Sequence, residues 1–315
     1  MQPDIKHLLD AKRVVDQAEG ERDRVLFISA YNDNERVAQL FTRIKAQKKV
    51  WWILPEYGYT ADEYPAGEIV DQLPSYEADL VRIGLERSGF DSNNPIPVCI
   101  DITGFLHPHI LLFLRYFKLF AVPNVEFVYT EPEHYSNKVD TQFSLDEKSD
   151  VRQVAGFEGQ HLPAMEYDVL MMGIGYEHNL MGQVIATKES ARLLQVHCFP
   201  PLSADMYQES ILRLDRLASA SARSAPDFNF FATGNDPYVT AAVLGEAVLS
   251  LLLRKKITNL YLCPLSTKPQ ALGFGLFYLS ALEGKAASII YPFVKKYSRQ
   301  HSQGVGRSWV YPVSF

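Results

Sequence analysis

The sequence has few cysteines and no long apolar segment, and both absences narrow the class of protein. Its three cysteines, Cys99, Cys198 and Cys263, each lie in an apolar run, and no two have CxxC spacing. We therefore expect small buried residues in a reducing compartment rather than disulfides. The apolar runs at 110–122 and 239–253 are interrupted by charge and fall short of the roughly 20 apolar residues that span a bilayer. With no signal peptide at the start, we expect a cytoplasmic protein that does not contact a membrane.

Several fingerprints of catalysis and cofactor binding are also missing. No GxGxxG follows the first apolar run, and neither GxxxxGK[ST] nor GxSxG occurs. These motifs mark dinucleotide sites, P-loops and hydrolase nucleophiles, so we predict no cofactor and disfavour a hydrolase. His107 and His109 flank a proline, and Glu131, Glu133 and His134 share a loop. Neither set has the spacing of a metal site, so we predict no metal.

Acidic residues are absent from the end of the chain. The net charge of −6 disfavours binding to duplex nucleic acid. From Lys285 onward, however, there is no Asp or Glu, while Lys295, Lys296, Arg299 and Arg307 are all present. Two interpretations follow: this basic segment binds an anion, or it is a positively charged surface exposed to solvent.

Short apolar runs alternate with helical periodicity along most of the sequence. The runs predicted as strands are 24–31, 49–54, 97–102, 125–129, 168–174, 193–199, 228–232, 260–265 and 288–293. The pattern predicts an α/β protein with mainly parallel sheets flanked by helices. A polar, aperiodic stretch at 131–166 separates two Rossmann-like halves. We place the first half at 1–150 and the second at 151–315, including the basic C-terminal segment.

The two halves contain similar segments. Five pairs of residues match between 99–136 and 263–298, namely Cys99 with Cys263, Thr103 with Thr267, Tyr129 with Tyr291, and Tyr135-Ser136 with Tyr297-Ser298. Each segment has the order strand, hydroxyl turn, apolar helix and strand ending in tyrosine. This favours an internal duplication, although two unrelated strand–helix–strand units would also share the apolar spacing.

Ligands of parallel α/β sheets bind beyond the carboxyl ends of the strands, so the candidate site residues follow predicted strands. The predicted ligand-binding residues are Ser266, Thr267, Lys268, Gly234, Asn235, Asp101, Thr103 and Arg307. The hydroxyls of Ser266 and Thr267 can bond a phosphate or ribose, and Lys268 supplies a charge.

The same residues also suit structural roles. Ser266 and Thr267 precede Pro269 and can cap the following helix, which is compatible with binding. Asp236 before Pro237 is predicted mainly as a cap. For Asp101, at the end of a buried strand, two interpretations stay open: a ligand or catalytic group, or a carboxylate satisfied by local N–H groups.

The stretch Leu265-Ser266-Thr267-Lys268-Pro269-Gln270-Ala271 resembles the CARF-type Rossmann-like ligand sensors. Together with its echo at Asp101-Ile102-Thr103-Gly104, which has Gly104 where Lys268 falls, it resembles the two fused CARF-like units of SAVED domains. The resemblance implies binding of a cyclic or linear oligonucleotide messenger in bacterial antiviral defence. It also implies that Ser266, Thr267 and Lys268 line the pocket, and that the effector is a separate polypeptide.

Two functions follow from these patterns. The first is a sensor of a nucleotide-like or other phosphate-bearing small molecule. The alternative is an enzyme of the same fold acting on a nucleotide or phosphorylated metabolite, with Asp101, Asp236 or Glu131 as acid or base. A subunit with a role mainly in assembly is a third possibility. The expected partners are an anionic small molecule, an effector protein and further copies of the chain.

Overall fold

The chain forms two compact units. The computed structural model describes residues 11–135, 144–146, 148–202, 229–254, 257–300 and 302–315. Among these, one unit consists of the residues up to Leu145 together with Lys295–Phe315, and the other of Asp146–Val294. We call them the seven-stranded unit and the six-stranded unit after their main sheets.

Fifteen strands and seven α-helices lie in the described part of the chain. The strands are β1 Arg13–Val14, β2 Leu26–Ala30, β3 Lys48–Trp52, β4 Glu68–Val70, β5 Val98–Asp101, β6 Val125–Thr130, β7 His134–Tyr135, β8 Asp150–Gln153, β9 Val169–Ile174, β10 Arg192–Cys198, β11 Asn229–Ala232, β12 Leu260–Pro264, β13 Ala287–Phe293, β14 Ser302–Gln303 and β15 Ser308–Val313. The α-helices are α1 Gln17–Glu21, α2 Glu35–Arg43, α3 Glu77–Arg87, α4 His107–Leu119, α5 His178–Thr187, α6 Pro237–Arg254 and α7 Lys268–Phe277. All nine predicted strands are present. None of the described helices is long and apolar enough to cross a membrane.

The seven-stranded sheet has the order β1-β15-β6-β5-β2-β3-β4. Strands β2 to β6 are mutually parallel, whereas β15 is antiparallel to β6 and β1 is antiparallel to β15. Counted along the chain, the parallel strands lie in the order third, second, first, fourth, fifth. The order reverses between β2 and β5, which defines the switch point of this sheet.

The six-stranded sheet repeats that order. It runs β11-β10-β9-β12-β13-β8, with β9 to β13 parallel and β8 antiparallel at one edge. Its switch point therefore lies between β9 and β12. The predicted class, two Rossmann-like halves with mainly parallel sheets, is confirmed. The matched cysteines lie on β5 and β12, the fourth parallel strand of each sheet, as a duplication requires.

The C-terminal segment differs from its predicted assignment to the second half. Strand β15 pairs with β6 from Ser308 opposite Thr130 to Val313 opposite Val125, so residues 295–315 belong to the seven-stranded unit. Pairing buries Val310 and Tyr311 completely. Strand β6 is the last of the parallel strands, so its outer side has no parallel partner. Strand β15 supplies the backbone hydrogen bonds on that side, which explains why the C-terminal segment joins this sheet.

Continuous apolar strands form both cores. All five residues of β2 are buried, and so are all of β12. Trp52 at the end of β3 packs its ring against Phe105 and Phe113, with ring centroids 5.4 Å apart in each pair. In the six-stranded unit, α7 is buried from Pro269 to Phe277 and packs against α6. Strands and helices buried on all sides position the loops at the carboxyl edge of each sheet.

A buried charge cluster ties the first elements of the chain to β6. The carboxylate of Glu126 accepts hydrogen bonds from Arg13 at 2.7 Å, Arg22 at 2.8 Å and Arg24 at 3.0 Å. Arg24 also pairs with Glu19 at 2.6 Å. The Glu126 side chain is 10% exposed and that of Arg24 is 4% exposed. In these surroundings the loss of Glu126 leaves the buried Arg24 with Glu19 as its remaining carboxylate partner in this cluster.

We predict that Glu126→Ala lowers the free energy of unfolding of the seven-stranded unit by about 2–3 kcal/mol, because the buried Arg24 loses one of its two carboxylate partners and keeps only Glu19. The measurement is urea denaturation. Glu86→Ala is the matched control, since the Glu86 side chain is 53% exposed beside Arg82, and we expect little change. Equal losses in the two variants would contradict the role of burial.

Candidate functional site

At both switch points a glycine lets two loops meet closely. A Cβ atom on Gly175, after β9, would lie 2.0 Å from the carbonyl oxygen of Leu265, after β12. In the seven-stranded unit, a Cβ atom on Gly104, after β5, would lie 1.9 Å from the carbonyl oxygen of Ala30. Only glycine permits such an approach of backbone to backbone. The loops of the first and fourth parallel strands are therefore in contact in each sheet.

The turn before α7 is joined to the loop after β11. Thr267 is the N-cap of α7, where its Oγ1 accepts from the N–H of Gln270 at 3.3 Å and donates to the carbonyl of Gly234 at 2.6 Å. Gln270 Nε2 donates to the carbonyl of Ala232 at 2.9 Å. Pro269 lies in the first turn of the helix. The predicted capping role of Thr267 is confirmed, and the structure brings Ser266–Lys268 beside Gly234.

The loop after β11 is shaped by its own hydrogen bonds. Asp236 Oδ1 accepts from the N–H groups of Tyr238 at 3.0 Å and Val239 at 3.1 Å, which confirms the predicted cap of α6. Thr233 Oγ1 donates to Asn235 Oδ1 at 3.1 Å. Asn235 is half-buried, like Ser266, Thr267 and Lys268. These polar groups therefore reach solvent at the carboxyl edge of the six-stranded sheet.

Asp101 and Thr103 occupy the corresponding edge of the other sheet, and both are 0% exposed. Asp101 accepts from Ser29 Oγ at 2.7 Å through Oδ2 and from the N–H of Thr103 at 2.9 Å through Oδ1. Thr103 Oγ1 accepts from the N–H of Thr130 at 3.0 Å. Of the two interpretations of Asp101, the structure supports the carboxylate satisfied by internal hydrogen bonds.

Arg307 lies in the seven-stranded unit, whereas Lys268 lies in the six-stranded unit. The Arg307 carbonyl accepts from the N–H of Glu131 at 2.9 Å, and its guanidinium lies 5.4 Å from the centre of the Trp309 ring. The predicted site that combines Arg307 with Ser266–Lys268 is thus not assembled within either unit.

Sequence reasoning missed a buried acid–base pair. Glu56 lies in the 3-10 turn Pro55–Tyr57 after β3, and its Oε1 is 3.6 Å from Nε2 of His109 on α4. Burial, with a smaller contribution from the nearby Glu77, raises the pKa of Glu56 to about 7. The only sequence signal is that both residues follow a strand. In the described part of the chain, no group of three or more His, Cys, Asp or Glu side chains could hold a metal ion.

The cysteines are unsuited to nucleophilic chemistry. All three are free and buried, as predicted. Burial raises the pKa of Cys198 to about 12 and also raises the pKa of Cys99 and Cys263. A thiol with a raised pKa holds its proton at neutral pH and is a poor nucleophile.

The edge of the six-stranded sheet is better suited to binding an anion. The first turn of α7 carries the positive end of the helix dipole, although Pro269 has no N–H and the N–H of Gln270 is bonded to Thr267 Oγ1. Ser266 adds a hydroxyl and Lys268 an ammonium group beside that turn. This combination favours a phosphate or carboxylate.

We predict that Thr267→Ala lowers the free energy of unfolding by about 1–2 kcal/mol, because two hydrogen bonds of the cap are lost. Thr267→Ser keeps the hydroxyl and should be close to the wild type in chemical denaturation. If the serine variant is as unstable as the alanine variant, the methyl group of Thr267 contributes the stability instead.

We compared the chain with protein-family models, curated proteins and solved structures, and none of them matches. The assignment of a function therefore depends on the geometry of the two sheet edges.

Proposed function

We propose that the chain is a sensor that binds a nucleotide-like or other phosphate-bearing small molecule at the carboxyl edge of the six-stranded sheet. The observation that carries the proposal is the contrast between two topologically equivalent edges. Asp101 and Thr103 are fully buried, whereas Asn235 and Ser266–Lys268 are half-buried. The accessible edge is therefore the better place for a ligand from solution.

The chemistry of the accessible edge supports a nucleotide over a simple anion. The α7 turn and Lys268 are suited to a phosphate group. Across the switch point, Tyr176 and Glu177 precede α5 and are also half-buried. Their hydroxyl and carboxylate are suited to the hydroxyls of a sugar. A ligand with phosphate at one end and ribose at the other would match both sides.

The resemblance to CARF and SAVED units gives the proposal a finer form. In that form, the ligand is a cyclic or linear oligonucleotide messenger of bacterial antiviral defence, and a separate effector protein responds to it. The shared strand order of the two sheets supports this form, because SAVED domains fuse two such units.

An enzyme of the same fold is the second candidate, and Glu56 is the observation that favours it. A carboxyl group with a pKa of about 7 is suited to general acid–base catalysis. The carboxylates named from the sequence are less suited, because they have internal roles. Asp101 and Asp236 bind main-chain N–H groups, and Glu131 accepts from Trp309 Nε1 at 2.8 Å.

We predict that a nucleotide ligand raises the melting temperature of the wild type by about 5–10 °C at a hundredfold excess over Kd, and that of Lys268→Ala much less. The measurement is differential scanning fluorimetry with mononucleotides, dinucleotides and cyclic oligonucleotides. Lys45→Ala is the matched control, because it removes the same charge from an exposed site in the other unit, and it should respond like the wild type.

The same experiment distinguishes a sensor from an enzyme and tests whether the ligand binds beside Lys268. The absence of a shift with every compound would contradict ligand binding in both forms. A shift that persists in Lys268→Ala would place the ligand elsewhere. Conversion of the stabilising compound, followed by chromatography, would favour the enzyme over the sensor.

A further inference from the structure

The carboxyl edge of the seven-stranded sheet is covered by a segment near the C-terminus. We call residues 297–303 the strap, of which all but residue 301 are described. The N–H of Tyr297 donates to the carbonyl of Glu56 at 3.0 Å. The Arg299 carbonyl accepts from the N–H of Asp33 at 3.1 Å, and Ser302 Oγ donates to Asn34 Oδ1 at 2.8 Å. The strap therefore bonds the loop after β2 and the turn after β3.

Arg299 is the main anchor of the strap. Its Nε donates to the carbonyl of Tyr57 at 2.8 Å, and its Nη2 donates to the carbonyl of Gly58. Its Nη1 pairs with Glu63 at 2.6 Å, and the guanidinium lies 4.1 Å from the centre of the Tyr59 ring. Tyr297 and Arg299 together bond three successive carbonyls, those of residues 56, 57 and 58.

The turn that holds the strap also carries the buried carboxyl group of Glu56. That side chain is 11% exposed, and its Oε2 is buried without a hydrogen-bond partner among the described residues. Oε1 faces His109, whose side chain is 2% exposed. The other charged groups near the turn are Glu77 on α3, Arg36 on α2 and Arg299 on the strap.

An ionised Glu56 does not fit these surroundings. A buried carboxylate oxygen that accepts no hydrogen bond is costly, whereas a protonated carboxyl group carries no charge to bury. The pKa of Glu56 is raised from its usual 4.5 to about 7. The stability linked to this group is therefore fully present below about pH 4.5 and is lost as pH rises from there to about 7. Hydration of the carboxylate requires the turn to move, and the turn shares its carbonyls with the strap.

We propose that the Pro55–Tyr57 turn is a proton-sensitive latch, which holds the strap closed while Glu56 is protonated and releases the strap when Glu56 ionises. Opening exposes Asn34 and the loop after β2 at the switch point of the seven-stranded sheet.

The test is hydrogen–deuterium exchange of the full chain between pH 4.5 and 8.5, expressed as protection factors so that the intrinsic effect of pH is removed. We expect protection of strap amides, such as Tyr297, to fall by up to tenfold per pH unit between about pH 4.5 and 7 and to level off above about 7. Protection of β2 and β15 should stay unchanged. In Glu56→Gln, which is neutral at every pH, strap protection should not depend on pH.

Two further variants complete the experiment. Glu86→Gln removes an exposed carboxylate of the same unit and should keep the wild-type profile. Arg299→Ala removes the anchor and should give low strap protection at both ends of the pH range, which calibrates the open state if Glu56→Gln folds poorly. The proposal is overturned if wild-type strap protection is independent of pH, if Glu56→Gln retains the dependence, or if β2 loses protection in parallel with the strap.

Discussion

The candidate site depends on the close approach of Gly175 to the carbonyl of Leu265. A side chain at this position would collide with the main chain, so the loops after β9 and β12 could not meet. Their contact places the start of α7 at the switch point, where Thr267 joins it to the loop after β11. A backbone constraint thus brings together polar groups from three loops. The proposed binding of an anion there draws on the helix dipole and on Lys268.

The two sheets share one strand order but differ in what fills their carboxyl edges. In the seven-stranded unit the edge contains buried amide and hydroxyl side chains, among them Asn32, Asn34 and Tyr57. Tyr57 donates to the carbonyl of Gly104 at 2.7 Å, directly over the switch point. In the six-stranded unit the matching loops contain Gly175, Tyr176 and Glu177 after β9 and Ser266 and Thr267 after β12, and these residues are half-buried. If the halves arose by duplication, the two edges have come to differ in how far their side chains are buried.

Local signals were readable from the sequence, and pairing over long distances was not. The apolar runs predicted nine strands, and the caps at Thr267 and Asp236 were predicted from residues adjacent to their helices. The short strand β1 and the last strand β15 have no comparable signal, because their pairing depends on β6. Because of that pairing, Arg307 lies in the seven-stranded unit and not in the predicted second half. Glu56 was missed for a similar reason, since its burial depends on α4 and the strap.

The strap can move without disrupting the seven-stranded sheet, because the strap and the strand that follows it, β15, are held by different interactions. After residue 303 the chain passes Gly304, which has a φ of 71°, and then enters β15, which pairs with β6 over six residues. Apart from the pairing of β14 with β7, the strap is held by hydrogen bonds to loops and turns. Once exposed, these hydrogen bonds are replaced by bonds to water at small net cost. Sheet pairing is continuous and buried, whereas the bonds of Tyr297 and Arg299 to the carbonyls of residues 56–58 depend on the position of one turn. A charge that appears in that turn therefore acts on the strap before it acts on the core.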